Sequence, residues 1–153
     1  MGHTFTTGEI VSMSLGIGST VWMFVANRHL FGKAAGVKTS WVEVLSYIVA
    51  LAALLLGWYF NFQYMREYEG VSGWWHWSVL AFANAASASA SQDLFFANLI
   101  LLPLWTMVAG RRAKMKVAWL YFPMSVVTSF AFAMALFIGF EDRQIRYNQA
   151  QKS

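Results

Sequence analysis

Four apolar runs, each close to the length of one membrane crossing, constrain this chain more than any other feature. A helix needs about 20 apolar residues to cross a hydrocarbon core about 30 Å thick. Residues 9–27, 41–64, 93–109 and 116–140 satisfy that length. The connectors between them, HLFGKAAGVKTS at 29–40, REYEGVSG at 66–73 and GRRAKMK at 110–116, leave no room for a soluble domain, so residues 1–153 read as a single membrane domain. Composition agrees: 58% of residues are hydrophobic and 12% charged, whereas a soluble domain carries about 25% charged residues.

The stretch 78–110 is too long for one ordinary span. As a straight helix its 33 residues would reach about 50 Å. The Ala- and Ser-rich SVLAFANAASASASQ therefore reads as an interfacial or re-entrant helix over 78–92, turning into the third span at Gln92 and Asp93. Irregular backbone at that turn requires cover by protein or water. Pro103 is expected to kink the third span, and Pro123, nearer the start of the fourth, to be milder. The expected fold is an all-α integral membrane protein: a four-transmembrane-helix bundle with an extra helix before the third span.

The net charge of +4 does not point to nucleic acid, because the Lys and Arg residues sit in short clusters between apolar runs. They act there as topology signals. The connectors after the first and third spans carry Arg28, Lys33, Lys38, Arg111, Arg112, Lys114 and Lys116, against Arg66 alone between the second and third. With four crossings this bias puts both termini outside the cytoplasm, the bacterial inner membrane being the expected location. Arg143, Arg146 and Lys152 in the tail weaken the bias without reversing it. Nothing before Arg28 is Lys or Arg, so the first run reads as a retained span rather than a cleaved signal. The absence of cysteine excludes a disulfide framework, a thiolate metal site and a Cys nucleophile.

Phe82-Ala83-Asn84, Phe95-Phe96-Ala97-Asn98-Leu99, the basic turn Arg111-Arg112-Ala113-Lys114-Met115-Lys116, Trp119-Leu120-Tyr121 and Ser129-Phe130-Ala131-Phe132-Ala133 follow one another along the second half. Over 82–147 this order resembles the small bacterial membrane proteins of domain-of-unknown-function family 2834. The resemblance implies an architecture and no activity. Asn98 stands where the family pattern has an acidic residue, and the acid here is Asp93, one and a half turns earlier.

Candidate contacts for a polar group or ligand are Asp93, Asn98, Asn84, Gln92 and His76. Asp93 leads, because an acid below the headgroups is costly unless it is used. Four crossings would gather Glu9, Asn61, Gln63, Gln92, Asp93, Glu141 and Asp142 at the outer side, with His3 or His76 near. Capping and solvation explain most of that set. Glu43, one turn into the second helix, is within reach of Arg28, Lys33 or Lys38. His29 and His76 fall on opposite sides, which argues against bis-histidine haem. No catalytic or metal-binding pattern occurs.

Ser12, Gly16 and Thr20, at spacing four on the first helix, form a small-residue face of the kind on which membrane helices associate. That face, the missing catalytic set and an aromatic content of 18% favour a non-catalytic accessory or scaffolding subunit of a larger complex, with the bilayer and other membrane subunits as partners. The alternative is binding or modification of an isoprenoid, carotenoid or quinone between the third and fourth helices near Asp93 and Asn98.

Overall fold

The computed structural model describes residues 5–32 and 35–152, so His3 and Lys33 lie outside the described residues. Those residues form helices and turns: α1 (Thr7–Ala26), α2 (Trp41–Glu67), α3 (Trp74–Ala81), α4 (Ala85–Phe96), α5 (Leu102–Ala113), α6 (Tyr121–Val127) and α7 (Phe130–Ala150). Short polar side chains start most of the long ones. Thr6 and Glu9 close a capping box on α1, Ser40 Oγ accepts from Glu43 N–H on α2, and Ser129 Oγ accepts from Phe132 N–H on α7. Three helices are long and apolar enough to cross a membrane: Thr7–Ala26, Trp41–Glu67 and the rod Ala85–Ala113 formed by α4 and α5. This is an all-helical membrane protein.

The break before the third rod falls at Phe82–Asn84 and not at Gln92–Asp93. Asn84 Oδ1 accepts from the N–H groups of both Ala86 and Ser87 at 3.0 Å, which starts a new helix there. Nothing comparable interrupts the chain at Gln92, and α4 runs through it. A π turn occupies Ala97–Leu101, just before Pro103. Proline lacks an N–H and crowds the carbonyl four residues back, and one extra residue in the turn relieves both problems.

The expected fourth span, 116–140, is not one helix. It divides at Thr128–Ser129 into α6 and α7, which run in opposite directions. Along α1, Asn27 Nδ2 donates to Lys116 O, Tyr121 Oη reaches Met23 Sδ and Ser12 Oγ donates to Val127 O, so α6 climbs toward the start of α1. The chain then returns: Phe140 packs on Phe24, and Arg143 Nε donates to Leu30 O. The two helices are a hairpin whose tip stops short of the level where Glu9 meets Arg66.

That hairpin corrects the expected topology. Glu9 and Arg66 lie at one end of the bundle, while Arg143 and Arg146 meet Glu43 at the other. The two ends of the described chain are therefore at opposite ends of the bundle. Glu141 and Asp142 lie at the Glu43 end with them, where Asp142 accepts from Ser40 Oγ, so the outer gathering of carboxylates does not form. Among the described residues Glu43 pairs with Arg143 and Arg146 of α7, and not with Arg28 or Lys38. Among the described residues, every Lys and Arg except Arg66 sits at this basic end.

Close approaches hold the hairpin in place. A Cβ on Gly139 would lie 2.8 Å from Tyr47 Cε1, one on Gly16 2.9 Å from Thr128 Cγ2, and one on Gly57 3.1 Å from Ser129 Cβ. Ser12 and Thr20 turn the same way as Gly16, onto Val127 and Met124. The small-residue face of α1 is thus covered from within the chain. Tyr121, Met124, Phe137 and Phe140 fill the core between hairpin and rods.

Candidate functional site: a neutral cavity above the hairpin tip

Because the hairpin turns back early, it leaves a cavity of about 490 Å³ between its tip and the Glu9 end. The floor is Ser125, Val126 and Thr128 to Ala131. The walls are Gly8 and Ser12 of α1, Gly57, Asn61, Tyr64 and Met65 of α2, and Leu94, Phe95, Asn98 and Leu99 of the third rod. Ser72, Gly73, Trp74 and Trp77, at the start of α3, form the roof. Among the described residues no Asp, Glu, Lys, Arg or His is in the lining.

A helix break at this depth frees carbonyls that need donors. Neighbouring side chains supply them: Ser12 Oγ and Trp58 Nε1 donate to Val127 O at 3.0 and 3.4 Å, and Asn61 Nδ2 donates to Thr128 O at 3.3 Å. Thr128 Oγ1 donates to Met124 O at 2.6 Å. The floor is therefore a pinned turn with its polar backbone satisfied from the walls.

The π turn aims Asn98 inward. It is 8% exposed, and Ser125 Oγ lies 2.6 Å from its Oδ1 and 2.6 Å from Phe122 O. At the roof, Tyr64 Oη is 3.0 Å from Gly73 N, 3.1 Å from Gly73 O and 3.0 Å from His76 Nδ1. Trp77 stacks on Phe95 and meets Trp74 edge-on. One tyrosine thus latches α3 over the cavity.

Of the five candidate contacts, Asn98 alone lines the cavity. His76 supports the roof through Tyr64, Asn84 caps α4, and Gln92 donates to Asp93 at 2.6 Å on the exposed face of that helix. Glu9 is fully buried, held by Thr6 and by Arg66 at 2.7 Å. Sequence reasoning placed Asn61 only in the outer gathering, and missed Tyr64, Ser125 and the hairpin tip. A signal for the tip existed: Ser125, Thr128 and Ser129 interrupt an apolar run among β-branched residues, and three basic residues follow in the tail.

Among the described residues no group of three His, Asp or Glu side chains is arranged to hold a metal ion. Neither a curated protein nor a solved structure matches the chain. A family match covers residues 45–143, from early α2 through the α2 and third-rod walls of the cavity and its floor to the Arg143 anchor, with the α1 wall outside it. The chain belongs to the family described as Protein of unknown function DUF2834.

Proposed function

We propose that this protein binds a neutral lipophilic small molecule of the isoprenoid, carotenoid or quinone kind in the cavity above the hairpin tip. The observation that carries this reading is a cavity within a membrane-embedded bundle whose lining has apolar and aromatic walls, a few polar groups and, among the described residues, no ionisable carboxylate, amine or imidazole. Its size falls in the range of small-molecule sites, about 300–1,000 Å³. A charged ligand would enter it without a counter-charge, which is costly in low dielectric.

The arrangement in the bilayer follows from the same features. Thr7–Ala26, Trp41–Glu67 and Ala85–Ala113 are three full crossings, and α6–α7 is a re-entrant hairpin entering from the basic side. The tryptophan-rich α3 is the interfacial helix, starting about one helical turn earlier in the chain than the sequence pattern suggests. Positive residues favour the cytoplasmic side, so in a bacterial inner membrane the Glu9 end and the cavity roof face outward, and the C-terminal end of α7 is cytoplasmic.

An accessory-subunit role is the second reading, favoured by Gln92 and Asp93 on the outward face of a membrane helix, where a partner helix would satisfy them. One of its sequence motives, the Ser12–Gly16–Thr20 face, is already covered within the chain. Extraction in mild detergent followed by mass spectrometry of the purified particle separates the two. A small particle carrying a stoichiometric lipophile supports ligand binding. Migration with a larger complex and no such lipophile supports the subunit role.

A further inference from the structure

We infer that Asn98 presents its amide oxygen to the cavity, and that the bound lipophile carries a neutral hydroxyl head group that donates to it. This rests on the cavity being the binding site. The starting point is a conflict of protons at Ser125. Its hydroxyl has one hydrogen, yet it lies 2.6 Å from two oxygens, Phe122 O and Asn98 Oδ1. It cannot donate to both, and an undonated contact between two oxygens at that distance is repulsive.

A serine inside a helix donates readily to the carbonyl one turn back, which is the Phe122 contact. The second contact becomes a hydrogen bond only when the Asn98 amide is turned end for end, a choice of orientation that hydrogen-bonding logic decides. Asn98 Nδ2 then donates to Ser125 Oγ, and Oδ1 faces the cavity as a buried acceptor. Both 2.6 Å contacts are satisfied in this arrangement and not in the other.

Most hydroxyls on the floor and walls have the same polarity, the remaining side-chain donors being the second amide hydrogen of Asn61 and the Ser72 hydroxyl near the roof. Ser12 donates to Val127 O, Thr128 to Met124 O and Ser129 to Ala53 O, so their protons are committed to backbone carbonyls. The proton of Tyr64 goes to Gly73 O or His76. Lone pairs are what these groups leave toward the cavity. The indoles of Trp74 and Trp77 are donors, but they belong to the more exposed roof. A ketone, quinone or aldehyde would set its oxygen against the Asn98 oxygen, whereas an alcohol or quinol would complete it.

The test compares three probes of equal chain length, farnesol, farnesyl methyl ether and farnesal, binding to the full-length protein in mild detergent, followed by quenching of tryptophan fluorescence. Farnesol should bind tightest, by about tenfold or more over the other two, the scale on which a buried acceptor left without a donor penalises binding. Asn98→Leu should level the three affinities. Ser125→Ala, which frees the amide to turn, should narrow the gap between alcohol and aldehyde while leaving the fold intact. Farnesal binding as well as farnesol would overturn the amide orientation. Equal saturable binding of all three to the unaltered protein would overturn the head-group inference and leave the cavity reading standing. Saturable binding of none would remove both. The ranking on the unaltered protein decides the matter even where a variant fails to fold.

Discussion

Arg143 Nη1 lies 2.6 Å from Glu43 Oε1, a buried pair that ties the returning arm of the hairpin to the start of α2. Arg143 also donates to Leu30 O and covers the Phe31 ring, and Arg146 adds a second contact to Glu43 at 2.8 Å. Three chain segments meet at the Glu43–Arg143 pair. Removing a single partner from such a cluster leaves a buried charge uncompensated, at about 3–5 kcal/mol. Glu43→Gln should therefore lower the thermal midpoint in detergent strongly, and Glu43→Leu combined with Arg143→Met should recover much of the loss.

Glycines at the close approaches should be intolerant and the open one tolerant. Gly139→Ala would push a methyl into the Tyr47 ring on the rigid face of α2, a clash of the overpacking kind worth about 1–3 kcal/mol. Gly18, within the same bundle, has nothing within 4 Å of a Cβ. Gly18→Ala should be neutral or stabilising by up to about 1 kcal/mol. Thermal unfolding of the two variants beside the parent measures the contrast.

His29, just beyond α1, has its pKa lowered by burial and by the positive charge of Lys116, with a contact to Gln144 acting the other way. A base with a depressed folded pKa binds fewer protons folded than unfolded. Stability should then be full above about pH 6.5, the ordinary imidazole value, and decline as pH falls from there toward the folded value. Midpoints measured from pH 7.5 to 5.5 should show that decline in the parent and a flatter profile in His29→Gln.

Much of this fold was legible in residue order, and the remainder was not, for identifiable reasons. α1 and α2 follow from apolar runs of crossing length with Thr6 and Ser40 at their starts. Asn98 was legible as a polar residue inside an apolar helix. Asp93 drew more weight than it carries, because only the register of α4 decides which way it points. The hairpin escaped because apolarity has no direction: residues 117–140 read alike whether they cross the membrane or fold back within it. What distinguishes the two is where Gly139 and Gly57 find partners, and that information belongs to the packed chain. The tail residues Arg143 and Arg146, a weak contradiction under four crossings, become regular under a re-entrant hairpin.

Topology separates the two arrangements directly. Single cysteines at Lys114 and Lys152 should both be shielded from an impermeant thiol reagent in intact cells, and one at Ser72 should react. Reaction at Lys152 with protection at Lys114 would restore a fourth crossing and remove the hairpin.

The cavity itself is tested by filling it. Ala131 lines the floor at an accessible position of α7, so Ala131→Trp should occupy the space without disturbing the buried hairpin contacts. The decisive measurement is the lipophile recovered by organic extraction per mole of protein, purified in mild detergent, for the parent and for this variant at equal thermal midpoint. About one equivalent in the parent and a trace in the variant is the expected result. No lipophile above the detergent background in the parent, or full retention in Ala131→Trp, would contradict ligand binding in this cavity.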